Sequence, residues 1–438
     1  MDINFASSRR SSATKAPDIV ALVTHLMRYS GSRHLILWGD WGQNSFLESS
    51  KGQYTVTVLG DCDTGDEIFS LFERQEQGSC LLLARDGFSR SKDSTLLSAV
   101  SRFCTYSVVA GSASLGQTLE PSCGISLESS RWRLLFSGTV LRSDDVREPV
   151  NVFYQKAFMV EAPPDFAVVA IIAAYNEIDI VAHSIAHLLQ QQVGVYFIDN
   201  WSTDGTFELV RKQFGDRLVG VERFPANATS STFDLYALLK RKEQLAQSIN
   251  AAWIIHQDAD EFRYSPFAGR SLRDGLFVVD QSGYNAVNHT VLEFPPTGNL
   301  KRLHDNPEAM LTQFRFGRQA SDLVQVKAWK KTHRLVSLAD NAGHHVKFEG
   351  KRIYPFNFLL KHYPIRSQEQ GQRKVFLERI PRYSQEGKQR GWHVQYSKLC
   401  SDHSFAEDRS DLESFDLHDF DNRFLVQRLT GCGTGTFS

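Results

Sequence analysis

The sequence predicts an α/β protein in two parts, a smaller α/β domain followed by a larger one that carries the chemistry. Three observations predict it. Apolar runs of strand length alternate with stretches of helical spacing in two separate series. In the second series the strands that matter most end in polar or acidic clusters. A double proline, Pro163-Pro164, stands between the two series. At 438 residues the chain also exceeds what one hydrophobic core usually organises.

The first 17 residues, MDINFASSRRSSATKAP, are polar and lack the apolar core of a secretory signal, so they read as a disordered leader. Residues 18–160 form the smaller α/β domain, whose role the sequence leaves open. In it HLILWG (34–39), YTVTVLGD (54–61), SCLLLAR (79–85) and YSVVAG (106–111) read as buried parallel strands. Residues 66–75 and 94–103 carry helical spacing between them. The turn Gly39-Asp40-Trp41-Gly42 lacks both the full dinucleotide fingerprint and a phosphate-loop lysine, so it reads as a plain strand-to-loop turn. RWRLLFSGTVLR and VNVFYQKAFMV then supply two more strands.

The larger domain spans residues 161–400, with 401–438 as a C-terminal tail. FAVVAIIAAYNE (166–177) is a buried strand with a polar end, and residues 179–191 a helix. VGVYFIDNWSTDGT (193–206) is a strand with an acidic end, followed by a helix to residue 214. VGVERF (219–224), a helix over 235–250, and the strand AAWIIHQDADEF (251–262) complete the series. In an open α/β sheet ligands bind beyond the carboxyl ends of the strands, where these clusters sit. Beyond Phe262 the pattern turns more β-like, with GYNAVNHTVLEF (283–294) and HRLVSL (333–338) as strands of an acceptor-binding half.

Composition excludes several classes. Lysine plus arginine (49) balances aspartate plus glutamate (50), so no global field draws the chain to nucleic acid. No apolar stretch is long enough for a membrane span, which leaves only peripheral membrane contact open. The six cysteines show no metal-binding spacing, and reduced thiols in a cytoplasmic protein are the default expectation.

The chemistry concentrates at three strand ends. In IIHQDADEF, Asp258 and Asp260 are two residues apart at a strand end, so both can address one divalent cation. Carboxylates suit Mg2+ or Mn2+, which in turn bridge the phosphates of a nucleoside diphosphate. Asn176 and Glu177 offer hydrogen-bonding groups for a base or ribose, and Asp199 can accept from an imide or a ribose hydroxyl. Asp204 sits where it serves the following helix as a cap. Arg366, Arg373 and Lys374 carry cations suited to a leaving diphosphate.

AAYNE, then IDNWSTDGT, a helix and DADE together resemble the family 2 inverting glycosyltransferases and related families of the GT-A fold, over residues 166–375. The resemblance implies a GT-A nucleotide-diphospho-sugar transferase domain moving a sugar from its donor to a glycan, lipid or small-molecule hydroxyl. It implies that Tyr175, Asn176, Glu177 and Asp199 hold the nucleoside, while Asp258 and Asp260 hold the metal and diphosphate. Lys242 matches a basic position on the helix before the metal-binding strand. LLKHYPIRSQEQGQRK (359–374) resembles a segment of non-processive relatives in which a histidine completes the metal shell, and His362 is that candidate. The catalytic pair and QxxRW segment of processive members are missing, so polymer synthesis is not expected.

Inversion needs a base for the acceptor hydroxyl. Glu293 is the first candidate, with Asp322 and His345 as rivals. Two other readings compete. A sugar-nucleotide nucleotidyltransferase would carry a glycine-rich basic loop after the first strand, and AAYNEIDIV has neither glycine nor lysine. A non-catalytic sugar-binding scaffold would not need acidic groups at every strand end.

Overall fold

A computed structural model of the chain describes residues 18–30, 34–38, 55–59, 80–84, 104–110, 133–141, 147–154, 161–227, 232–267, 269–298, 306–317, 325–383, 396, 399–416, 420, 424 and 426–429. The leader, the GDWG turn, the two helices expected at 66–75 and 94–103, and Asp322 lie outside the described residues. The chain divides into two compact units, one of Met1–Leu134, Gly138–Gln155 and Cys432–Ser438, the other of Leu135–Ser137 and Lys156–Gly431.

The first unit opens with helix α1 (Asp18–Ser30), which the strand-centred reading of the sequence did not identify. Its Ile19, Val23, Leu26 and Met27 are buried, the spacing of one apolar helix face. Strands β1 (His34–Trp38), β2 (Thr55–Leu59), β3 (Cys80–Ala84) and β4 (Cys104–Ala110) are parallel, as their continuous apolar runs predict. With β5 (Arg133–Leu141) and β6 (Arg147–Tyr154) they form a sheet of order β2-β1-β3-β4-β6-β5, in which β6 runs antiparallel to β4.

The second unit contains two sheets. In the first, β7 (Val168–Ala174), β8 (Gly194–Asp199), β9 (Gly220–Arg223) and β10 (Trp253–Asp258) are parallel. They stand in the order β10-β7-β8-β9, extended antiparallel by β15 (Ala328–Lys330) and then β12 (Ala286–Val287). The order reverses between β7 and β10, which makes their carboxyl ends a topological switch point. Helix α2 (Val181–Gln190) buries Val181, Ile185 and Leu188 at helical spacing. Helix α3 (Thr206–Phe214) starts after Gly205, whose φ of 94° is one that residues with side chains rarely take. Helix α4 (Leu235–Ser248) is capped by Asp234, which accepts from Ala237 N at 2.9 Å. Its Leu238, Leu239 and Leu245 pack with Val169, Ile171, Ile254 and Trp329 in one core.

The fourth strand differs from its expected span. It ends at Asp258, and the chain turns through Ala259-Asp260 into a new strand, β11 (Glu261–Tyr264). Three of the bonds that hold the turn are Gln257 Nε2 to Glu261 O at 2.6 Å, Asp258 N to Glu261 Oε2 at 3.2 Å and Tyr363 N to Asp260 O at 2.9 Å. The second sheet, of order β11-β16-β13-β14-β17, thus begins where the first ends. It contains β13 (His289–Glu293), β14 (Gln313–Phe316), β16 (Phe358–His362) and β17 (Glu413–Ser414). Helix α5 (Leu272–Gln281) and the short α6 (Pro307–Met310) lie between its strands in sequence. HRLVSL forms no strand; Ser337 alone makes a bridge, to Lys347, and Leu335 is exposed, so the apolar residues there do not alternate on a ladder.

An aromatic core lies on this sheet. Phe262, Phe294, Phe314 and Tyr363 pack with Phe420. Of the segment expected as a tail, Phe405, Phe420, Val426 and Leu429 are buried. No helix among the described residues is long and apolar enough to cross a membrane.

Candidate functional site

Strand register brings the three motifs together. Asp199 pairs with Ala174, and Asp258 pairs with Ala173, so β8, β7 and β10 deliver IDN, AAYNE and DAD side by side at the switch point. A fourth segment joins them. β16 ends at His362, and after a short helix α7 (Gln368–Gln372) the chain forms a π-helical turn, Arg373–Arg379, that lies over the motif after β7.

The motif after β7 is locked from both sides. Asn176, at a φ of 54°, donates its backbone N–H to Ser202 Oγ at 3.0 Å and accepts from Thr203 N at 2.8 Å. Its side-chain amide donates to Glu378 Oε1 at 2.9 Å. Glu177 is buried and accepts from Arg366 at 2.6 Å, with Lys374 Nζ 2.8 Å from its other oxygen. The Arg382 guanidinium stacks on the Tyr175 ring at 3.6 Å.

Asp199 is fully buried at the end of β8. Ser202 N donates to its Oδ2 at 3.1 Å and Arg223 Nε stands 3.3 Å from the same oxygen. Oδ1 has no hydrogen-bond partner among the described residues. Burial pushes this carboxyl up, and the Ser202 and Arg223 contacts offset only part of that. Asp204, by contrast, is engaged locally: it accepts from Thr206 N at 3.0 Å, Thr206 Oγ1 at 2.6 Å and Ile178 N at 3.2 Å.

The two aspartates of DAD part company. Asp258 is half-exposed, with Lys327 Nζ 2.7 Å from Oδ2 and His256 Nε2 4.0 Å from Oδ1. Asp260 is buried; Lys374 Nζ lies 3.0 Å from Oδ2, and His362 Nε2 lies 3.8 Å from Oδ1. Burial would raise both carboxyls. Lys327, His256 and Lys242 nevertheless hold Asp258 well below the usual carboxylate range, and Lys374, His362 and Arg366 do the same for Asp260. Both groups are therefore anions at neutral pH.

Lys242 is placed beneath the site. It is buried, with Nζ 3.0 Å from His256 Nδ1 and donating to Gln257 O at 2.9 Å, so it touches the surface only through its neighbours. Burial pulls its pKa down to about 8. Arg366 is likewise buried, and its donors go to Glu177, to Asp179 at 2.9 and 2.8 Å, and to Tyr363 O at 3.0 Å. Arg366 thus braces the acidic wall, while Lys374 spans Glu177 and Asp260. Arg373 is more exposed and lies 3.4 Å from Glu378 Oε1.

The base candidates fall differently. Glu293 ends β13 in register with His362, and its carboxylate accepts from Arg315 at 3.0 Å. The ring of His345 is contacted at Nε2 by Lys351 Nζ. Among the described residues no group of three His, Cys, Asp or Glu side chains forms a metal cluster. Three residues of the site escaped sequence reasoning: Lys327, Glu378 and Arg382. Each comes from irregular sequence far from the strand-end motifs, and only folding brings it in.

No family model matches the chain, and no curated protein matches it. Among solved structures it is weakly similar to Staphylococcus aureus TarS residues 1–349 in complex with UDP, with a TM-score of 0.28 and 13% identity. That likeness covers 45% of this chain and 60% of the TarS chain. It is also weakly similar to Haemonchus contortus phosphoethanolamine N-methyltransferase 1 with phosphoethanolamine and S-adenosylhomocysteine. There the TM-score is 0.16 and the identity 7%, over 59% of this chain and 82% of the other.

Proposed function

We propose that the second unit is a GT-A type glycosyltransferase of the family 2 kind, moving a sugar from a nucleoside diphosphate donor to a hydroxyl of a glycan, lipid or small molecule, with inversion and without processivity. One observation carries the reading. At a single switch point, neighbouring strand ends carry a buried acceptor oxygen with no partner among the described residues, Asp199 Oδ1, and the anion Asp260 with the cation Lys374. A nucleoside offers the N–H or O–H that Asp199 lacks, and Lys374, whose three N–H groups go to Glu177, Asp260 and Pro364 O, meets a diphosphate as a nearby positive charge.

Asp260 and His362 suit a small divalent cation such as Mn2+ or Mg2+. Oδ1 and Nε2, 3.8 Å apart, are close enough to reach one ion, whose other positions would fall to diphosphate oxygens and water. Asp258 would join that ion after yielding its contact with Lys327, or through water. Such an ion, when bound, supplies the charge that stabilises the departing diphosphate. The chain's own groups do the rest: Tyr175 and Arg382 offer a flat face for a base, and Lys374 neutralises phosphate. Glu293, in register with His362, takes the acceptor proton once Arg315 releases it.

The test is titration calorimetry of the full chain with UDP, GDP, CDP and ADP, with and without Mn2+. One of these should bind in Mn2+, and Asp260→Ala should abolish the metal-dependent part while leaving the melting transition in place. Affinity unchanged in Asp260→Ala would remove the reading.

A further inference from the structure

Glu378 borders the site through Asn176, and the donor reading above gives it no task. It sits on the π-helical turn four residues after Lys374, with its side chain mostly buried. The two side chains contact consecutive residues of the motif after β7: Lys374 meets Glu177, and Glu378 accepts from Asn176. From Asn176 the hydrogen bonds continue to Ser202 Oγ and from Ser202 N to Asp199 Oδ2. Glu378 is therefore linked through Asn176 and Ser202 to the buried acceptor Asp199, and it shares its turn with Lys374, which pairs with Asp260. In a nucleoside diphosphate, the ribose lies between the base and the phosphates.

Resting on the donor reading above, we propose that Glu378 recognises the ribose of the donor, its carboxylate accepting a 2′- or 3′-hydroxyl, so that the site selects ribonucleotides over deoxyribonucleotides. The carboxylate has capacity for this. Among the described residues Oε1 takes the contacts from Asn176 and Arg373, and Oε2 takes none. A carboxylate accepts only, and a hydroxyl is the donor a ribose has to give. Burial pushes the Glu378 carboxyl up, with Glu177 and Asp204 adding to this, while the Asn176 amide and Arg373 oppose it. Once a bound nucleotide covers it, an acceptor in that setting is costly to leave without a donor, which is how polar groups buried in a complex discriminate against ligands that lack one.

The experiment takes whichever of UDP, GDP, CDP and ADP binds the full chain most tightly, and compares it with its 2′-deoxy and 3′-deoxy counterparts. Wild-type protein should prefer the ribonucleotide to one of these by about tenfold, the scale of a hydrogen bond to a charged group. Glu378→Gln keeps the oxygen that Asn176 uses and removes the charge, and it should cut that preference to about threefold or less. Glu378→Asp, which withdraws the carboxylate by one methylene, should do the same. A wild-type preference that persists in both variants would overturn the assignment and leave the donor reading standing. Loss of all nucleotide binding in Glu378→Gln with an unchanged melt would also overturn it, making Glu378 a support for Asn176 alone. Wild-type protein that binds none of the four nucleotides would overturn both readings together.

Discussion

The Lys327 ammonium stands 2.7 Å from Asp258 Oδ2, so the first carboxylate of the strand-end pair meets a cation supplied by the chain itself. Lys327 is buried and also lies 2.7 Å from Glu261 Oε1, while Arg263 holds the other Glu261 oxygen at 2.5 Å. The turn between the two sheets is thus built around buried charge. Such an arrangement is sensitive to loss of one partner, because the remaining ion keeps its desolvation cost.

Lys327→Met should therefore destabilise the second unit by about 2–3 kcal/mol, less than a wholly unpaired buried charge because Arg263 stays on Glu261. Glu261→Gln should cost less in the Lys327→Met background than in the wild type, since the two sites are coupled while Arg263 loses its carboxylate in either case. Guanidinium unfolding of the single and double variants measures both, and strictly additive losses would contradict the coupling.

Asp199→Asn should separate binding from stability. Burial raises the Asp199 carboxyl, so its ionised form disfavours the folded state at neutral pH, and that penalty vanishes as pH falls through its folded pKa. The amide carries no charge, so stability at pH 7 should hold or rise while nucleotide affinity falls about tenfold. A variant that loses stability and keeps affinity would show that Asp199 serves the fold alone.

His362→Ala addresses the cation directly. Metal-dependent nucleoside diphosphate binding should weaken about tenfold or more, and the effect should disappear when binding is measured in EDTA. Equal losses with and without Mn2+ would place His362 outside any metal shell.

Lys242 gives a pH signature. Its pKa in the folded protein is pulled to about 8 from an ordinary 10.5, so between these values the unfolded chain holds a proton that the folded chain has released. Stability should rise with pH across that window and be lost as pH falls back toward 8, by about 3 kcal/mol in all. Lys242→Met should lack this component. If wild type and variant show the same slope between pH 8 and 10.5, Lys242 does not titrate there.

The strands of the parallel series were legible because a strand buried on both faces needs a continuous apolar run, and VVAIIAA, GVYFID and WIIHQD each supply one. Helix α3, from Thr206 to Phe214, was legible together with the capping residue before it, Asp204, which accepts from Thr206 N. The placement of Asp199 and Asp258 at neighbouring strand ends, with Asp260 in the turn beyond, was legible because each follows an apolar run. The partners of those residues were not. Lys327, Lys374, Glu378 and Arg382 lie 69 or more residues beyond Asp258, in segments with no regular period, and a charge in irregular sequence does not reveal which opposite charge it meets. The same limit explains Arg366 and Lys242. From sequence both are cations near a phosphate site, whereas folding turns one onto Glu177 and Asp179 and the other under His256. Local periodicity fixes which way a strand or helix faces, but pairing across loops depends on where the whole chain closes, and only the tertiary structure decides that.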